Sequence, residues 1–339
     1  MNLVQQTEYT AIVTGSTRGI GKETALLLLK NGLNVVISSK SQNNVHNAIQ
    51  EIYDKFPSKK ENILGLKCDV SKHSDVKTLV DVTINKFGKI DILVNNAGIV
   101  YYKSIMNTTE EEWDKTIDTN LKGTFLFTKE ILPYMIKNKS GGIIVNVSSG
   151  AGKSGFSNLS SYCASKFGMI GLTESVAKEI IDNNIKVMAI CPGGVDTDMI
   201  KDMVNDGFNK SNTNFMKPEE VAKKIYDMIV NKKNYYNGQS IEFYNKWQYD
   251  LPSFLSISSF MKRNNVSSRD ILNVLRTAKD VANLNQTLSN LNSEIEKFKQ
   301  TIHKYLFWKM GVKVGAGITP TMFTSYVKYR GKCNIINTQ

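Results

Sequence analysis

A phenol and an ammonium stand four residues apart in "SYCASKFG", at Tyr162 and Lys166. On a helix, residues i and i+4 share one face, a turn apart. A lysine so placed can lie near the phenol oxygen and favour its ionised form, which makes the pair a candidate for proton transfer. Alone, the pair also fits a surface tyrosine above a surface lysine. A second chemical signal lies in "TGSTRGIG", Thr14 to Gly21. Gly15, Gly19 and Gly21 permit a tight turn, with Ser16, Thr17, Arg18 and Ile20 between them. The run follows an apolar β-branched segment and opens a helical one. Free N–H groups at that helix N-terminus would face an anion such as a pyrophosphate.

The next apolar run ends in "VISSKS". A site for NAD usually carries an acid there to hold the ribose 2′-hydroxyl. This chain has Ser39 followed by Lys40, with Arg18 in the glycine turn. No acid stands there to repel a 2′-phosphate, and two cations could reach it. The reading is a nicotinamide cofactor, with NADP (NADPH) favoured over NAD. The competing account is two ordinary surface cations.

Elements must position these groups. Residues 9–245 alternate short β-branched runs ("AIVTG", "NVVIS", "DILVNNAG", "GIIVNVSS", "IKVMAICPG", "SIEFY") with stretches of helical apolar spacing such as "GKETALLLLKNG". Apolar strands alternating with helices imply an α/β, doubly wound parallel sheet of Rossmann type, covered on both faces. Ligands of such sheets bind beyond the carboxyl ends of the strands. The expected organisation is one large domain over 1–245 and a mostly helical extension over 246–339.

Composition narrows the setting. Of 339 residues, 41% are hydrophobic, enough for a sizeable core. Cys68, Cys163, Cys191 and Cys333 form no CxxC, so reduced thiols and a cytoplasmic setting are expected. The start of the chain lacks a secretory pattern, and no apolar run reaches transmembrane length. His46, His73 and His303 have no ligand spacing, so no metal is expected.

The chain resembles the short-chain dehydrogenase/reductase family over residues 9–245, and within it the carbonyl and 3-oxoacyl reductase-like members that use NADPH. The ordered set carrying the resemblance is "TGSTRGIG", "NNAG" at 95–98, Asn120 in "DTNLKGTF", "NVSSGAG", "YCASK" and "PGGVDTD". It implies Tyr162 as general acid for reduction and base for oxidation. It implies that Lys166 lowers the tyrosine pKa and binds the nicotinamide ribose, and that Ser149 holds the substrate oxygen. Ser149 is chosen over Ser148 for its thirteen-residue separation from Tyr162, the family's usual loop. Asn120 would hold a water in a proton relay. Asp69 and Val70 would contact adenine. Asn96, Ala97 and Gly98 would line the cofactor, and Pro192, Gly193, Val195 and Thr197 would flank the nicotinamide. A small-molecule carbonyl or alcohol substrate follows, as does a homo-oligomer with a dimer face on the helix carrying Tyr162 and on a long helix from about Glu112 to Asn138.

The segment from Asp198 to Pro218 mixes Met199, Met203, Val204, Phe208, Phe215 and Met216 with polar residues, which suits a lid over an apolar substrate. The extension departs from the family. It carries 14 Lys and Arg against 5 Asp and Glu, whereas residues 1–245 carry 29 against 26. A heptad seam runs from Val274 to Tyr305. Three roles compete: packing or oligomerisation as a coiled coil or hairpin, then contact with an anionic membrane surface, then, last, nucleic acid, for which no motif accompanies the charge. Two functions compete as well. One is a reversible NADP(H)-dependent ketone reductase. The other is a non-catalytic cofactor-binding scaffold or sensor acting through its tail. The intact Ser149, Tyr162 and Lys166 favour the enzyme.

Overall fold

The computed structural model describes residues 9–138, 141–208 and 215–244. The expected boundary at 245, the helical extension and its heptad seam lie outside the described residues. Seven parallel strands form one sheet, ordered β3-β2-β1-β4-β5-β6-β7. They are β1 (Thr10–Val13), β2 (Asn34–Ser39), β3 (Ile63–Lys67), β4 (Ile92–Asn95), β5 (Gly142–Val147), β6 (Ile185–Pro192) and β7 (Ser240–Phe243). Between them run α1 (Gly19–Lys30), α2 (Gln42–Lys55), α3 (His73–Phe87), α4 (Glu110–Ile117), α5 (Gly123–Lys137), α6 (Ser160–Glu179), α7 (Asp198–Asn205) and α8 (Pro218–Val230).

Strand alternation sends neighbouring side chains to opposite faces. Ala11 and Val13 of β1 point to one core, shared with Leu28 and Leu29 of α1 and Val221, Ile225 and Met228 of α8. Ile12, between them, points to the other, with Val76 and Leu79 of α3, Phe127 and Ile131 of α5 and Val176 of α6. The central strands β1, β4 and β5 are thus dry on both sides, which explains their near-continuous apolar runs in sequence.

The apolar runs name six strands; the sheet has a seventh, β3. Its "ILGLK" is interrupted by Gly65 and is only partly buried. The glycine has a reason: a Cβ there would lie 2.6 Å from Ile49 Cγ1 and 2.8 Å from Val45 Cγ1 on α2. The long helix expected before β5 also differs. It starts at Glu110, where Thr109 and Glu112 form a capping box, and it is interrupted by a π-helical turn over Asp118–Lys122. Of the apolar set there expected to serve core and partner alike (Ile117, Leu121, Phe125, Phe127, Ile131 and Leu132), Phe127 and Ile131 are wholly core, while Phe125 is exposed.

The functional end follows from the topology. β1 lies between β2 and β4, so successive crossovers leave it in opposite directions. The loops after β1 and β4 therefore part there and leave a crevice at the carboxyl ends. Among the described residues, no helix is long and apolar enough to cross a membrane.

Candidate active site

The crevice floor is the turn between β1 and α1. Gly15 has φ +60°, the left-handed region, and a Cβ on it would lie 2.8 Å from Ala97 Cα. Thr14 holds this close approach. Its hydroxyl accepts from the Asn96 and Ala97 amides, both at 3.0 Å. The Asn96 side chain answers by donating to the Thr14 and Gly15 carbonyls at 2.9 and 3.1 Å. Ser16 is spent on the scaffold: it donates to Val13 O at 2.5 Å and accepts from Ser38 N at 3.0 Å. It can offer a cofactor only its main chain. Helix α1 begins at Gly19, with no side-chain cap and no acid in its first turn. A bare helix N-terminus above a glycine cradle fits a pyrophosphate. Thr17 and Ile20 belong to the same turn.

The Ser39 carbonyl accepts from Cys68 N at 2.8 Å, which brings Asp69 and Val70 beside the end of β2. Burial opposes the Asp69 charge. Hydrogen bonds from Ser71 N (3.1 Å) and Oγ (2.7 Å), with Lys72 and Lys40 nearby, still hold its carboxyl below the usual range. The two expected phosphate-binding cations part company here. Lys40 stays at this end, exposed. The Arg18 guanidinium is instead 3.4 Å from Asp198, at the start of α7.

The carboxyl end of β5 meets α6 at the proposed chemistry. The Ser149 side chain lies near enough to the Tyr162 phenol to favour its charged form, and it accepts from Ala151 N at 3.1 Å. Ser148 is buried and donates to Lys166 O at 3.0 Å, so its hydroxyl is engaged elsewhere. Lys166 is only 3% exposed; its Nζ donates to Val147 O at 2.8 Å and lies 5.5 Å from the Tyr162 ring centroid.

The electrostatics of the free protein are set by burial. Burial pushes the Tyr162 phenol up to about 12, against the lowering effect of Ser149 beside it. Burial also pushes the Lys166 ammonium down to about 8. Lys166 does not pull the phenol down in the free protein: its ammonium is tied to Val147 O, and desolvation outweighs it.

Asn120 sits inside the π-helical turn, fully buried. Its Oδ1 accepts from Ile99 N at 2.8 Å, and its amide donates to Ile99 O at 2.9 Å and to Ser165 Oγ at 3.0 Å. Both amide hydrogens are therefore used within the protein. Asn120 and Lys166 approach one another over Gly98, where a Cβ would be 3.4 Å from Asn120 Oδ1 and 3.7 Å from Lys166 Nζ. Thr14, Ser148 and Ser165 all organise the site; Ser148 enters the sequence reading only as the alternative to Ser149, and Thr14 and Ser165 have no role of their own there. The signal for the first was its place directly ahead of the glycine turn, and for the last its place directly ahead of Lys166.

The segment after β6 closes the crevice. Pro192 ends the strand, and Gly193 N donates to Phe243 O at 3.0 Å. Val195 is buried and bridges to Met216. Thr197 faces the glycine turn, its Cγ2 3.3 Å from where a Gly19 Cβ would stand. Two residues on, Met199 places its sulfur 4.0 Å from the Tyr162 hydroxyl. An apolar cluster surrounds the phenol: Leu159, Cys163, Ile200 and Met203, with Val100, Tyr102, Phe208 and Phe215 packed against it.

Comparison with known proteins agrees with this layout. Residues 9–207 match the family model described as short chain dehydrogenase. The 3-oxoacyl-(acyl-carrier-protein) reductase of Thermotoga maritima is 37% identical over 235 residues, 68% of this chain and 94% of that protein. A 3-oxoacyl-(acyl-carrier-protein) reductase of Synechocystis is 36% identical over 221 residues, 65% of this chain and 88% of its own length. Among solved structures, an actinorhodin polyketide ketoreductase with NADPH superimposes with TM-score 0.64 and 28% identity, covering 70% of this chain and 97% of that one. The 3-ketoacyl-(acyl-carrier-protein) reductase of Brucella melitensis complexed with NADH gives TM-score 0.64 and 26% identity at the same coverages. With the motifs in order on a seven-stranded parallel sheet, the chain belongs to the short-chain dehydrogenase/reductase family of oxidoreductases.

Proposed function

We propose that the protein is an NADP(H)-dependent reductase that converts an apolar ketone, 3-oxoacyl or similar, to a secondary alcohol, reversibly. The observation that carries this reading is the Tyr162 phenol, beside Ser149 and roofed by apolar residues, with Lys166 one turn further along α6. The glycine cradle, the α1 N-terminus, Asn96–Gly98 and Thr197 would hold the cofactor. Arg18 and Lys40 would take its 2′-phosphate, with Asp69 and Val70 against the adenine. When bound, the nicotinamide supplies the hydride for the carbonyl carbon.

The chain's own groups handle the oxygen. The Ser149 hydroxyl orients the carbonyl oxygen beside the phenol. As negative charge grows on that oxygen, Tyr162 gives up its proton to it. A phenol pushed up to about 12 keeps its proton at neutral pH, so the free site is loaded for donation. That favours reduction over oxidation, which needs the phenolate. The Lys166 ammonium then faces a tyrosinate and stabilises it. Asn120, in the π-helical turn, would hold the water through which a proton returns, as the resemblance implies.

The 3-oxoacyl reductases and the ketoreductase among the relatives support a ketone as substrate. The Met and Phe side chains of α7 and the loop after it suit an acyl chain. Exposed Phe125 on α5 and Phe167 on α6 support self-association. We place catalysis in residues 1–245 and assembly, or contact with a membrane surface from the cytoplasmic side, in 246–339. The test is NADPH oxidation by the full chain against 3-oxoacyl thioesters, steroids, quinones and small diketones, and again after removal of 247–339. Turnover of a ketone by both forms is expected. No turnover of any ketone overturns the enzyme, and a truncated chain that binds no cofactor overturns the boundary.

A further inference from the structure

We infer that Ser165 is a positioning residue of the site, a conclusion that rests on the reductase reading of Tyr162, Lys166 and Asn120. Its side chain is fully buried on α6. Its one hydroxyl makes two hydrogen bonds. It donates to Tyr162 O at 2.7 Å and accepts from Asn120 Nδ2 at 3.0 Å. The next residue along the chain is Lys166. A single side chain therefore touches the peptide of the proton donor and the amide of the relay asparagine, and precedes the ammonium.

The geometry shows why this matters. The π-helical turn over Asp118–Lys122 is a departure from α-helical pairing, and such turns need something to hold them. Asn120 is tied on one side to both main-chain groups of Ile99, in the loop that follows β4. On the other side its remaining hydrogen goes to Ser165 alone. Ser165 is thus the link between the π-helical turn and α6. Removing the hydroxyl would leave a buried amide hydrogen without a partner and let the turn drift relative to Tyr162 and Lys166. Misplacement on the ångström scale costs on the order of a hundredfold in rate while binding survives.

The experiment uses the full chain with Ser165→Ala and Ser165→Thr. In Ser165→Ala, turnover should fall at least about tenfold, with KM and NADPH affinity within about threefold of the parent. Ser165→Thr, which keeps the hydroxyl, should recover most of the loss. Combined with Asn120→Ala, the serine substitution should add little, because both act through one link. A second readout needs no turnover: in the free protein, the Ile99 amide that donates to Asn120 should exchange with solvent at least about tenfold faster in Ser165→Ala. Unchanged Ile99 exchange overturns the link, whether or not the protein is a reductase. Faster exchange with normal turnover in an active enzyme overturns the positioning role. A parent chain that reduces no ketone refutes the function and leaves the Ile99 measurement to decide the link.

Discussion

The two ends of the crevice are built in opposite ways. At the Tyr162 end Lys166 and Asn120 are buried and already partnered, by Val147 O and by Ile99 and Ser165, with Tyr162 and Ser149 partly buried beside them. At the Arg18 and Lys40 end the cations are exposed, and Arg18 rests on Asp198 at 3.4 Å. The difference teaches where each property is stored. On the proposed reading, rate would depend on the partnered groups at the Tyr162 end. Cofactor choice would depend on charges at the surface, each screened and worth little alone. Substitutions at the two ends should therefore separate into losses of turnover and shifts of affinity.

The largest effect belongs to the enclosed end. Tyr162→Phe removes the proton donor and leaves every cofactor contact proposed above. Turnover should fall by at least about a thousandfold, within the range known for loss of a positioned acid, with NADPH affinity within a few-fold of the parent. Steady-state kinetics and fluorescence titration decide. Turnover like the parent's would end the mechanism; a parallel collapse of NADPH binding would mean the two ends are not separable.

Enclosure also costs stability, and Lys166 makes that measurable. Its folded pKa is about 8, below an ordinary lysine, so the folded state binds fewer protons than the unfolded chain between pH 8 and 10.5. Stability from this group therefore rises with pH across that window, and the cost of charging it is full below pH 8. From pH 8 to 10 the gain is about 2 kcal/mol. Tyr162, raised to about 12, acts oppositely, losing stability above pH 10. Lys166→Met should abolish turnover yet unfold at higher denaturant than the parent at pH 7, with the gap closing toward pH 10. A gap constant across that range means the lysine is not buried in solution as it is here.

Much of this was legible in the sequence, and the limits have physical causes. Tyr162, Lys166 and the glycine turn show because their chemistry needs fixed spacings. Strands dry on both faces show because they are continuous apolar runs. β3 was missed because Gly65 yields its side-chain space to α2. The π-helical turn was missed because the one breaker in "DTNLKGTF", Gly123, keeps helical backbone and does not mark it; Asn120 is held there by partners 21 and 45 residues away. The upward push on Tyr162 in the free protein was not visible in the sequence for a similar reason. Spacing along a helix places an ammonium near a phenol, but burial is set by α7 and by loops distant in sequence.

The exposed end should give smaller effects. Charge-assisted contacts to phosphate are worth about 1.5–3 kcal/mol each, and less where water screens them. Replacing Arg18 and Lys40 together by neutral residues should narrow the preference for NADPH over NADH by at least about tenfold, with turnover at saturating cofactor within about threefold. Equal affinities for the two cofactors in the parent chain would refute the 2′-phosphate reading outright. Loss of turnover at saturation would show that these cations reach into the chemistry.

The smallest effect tests the one contact that joins the two ends. Asp198 opens α7, immediately before Met199, whose sulfur lies 4.0 Å from the Tyr162 hydroxyl. A hydrogen bond from Lys201 at 2.8 Å, opposed slightly by burial and aided by Arg18, holds the Asp198 carboxyl below its usual range, so it is charged at neutral pH. As a fixed anion it competes with a phosphate for the Arg18 guanidinium. An exposed pair of this kind is worth about 0–1 kcal/mol. Asp198→Asn should therefore tighten NADPH binding by up to about fivefold and leave NADH binding nearly unchanged, and added salt should shrink the gain. Equal gains for both cofactors would place Arg18 on the shared pyrophosphate instead. Weaker NADPH binding would mean that Asp198 holds Arg18 in a useful pose, making the pair a brace and not a competitor.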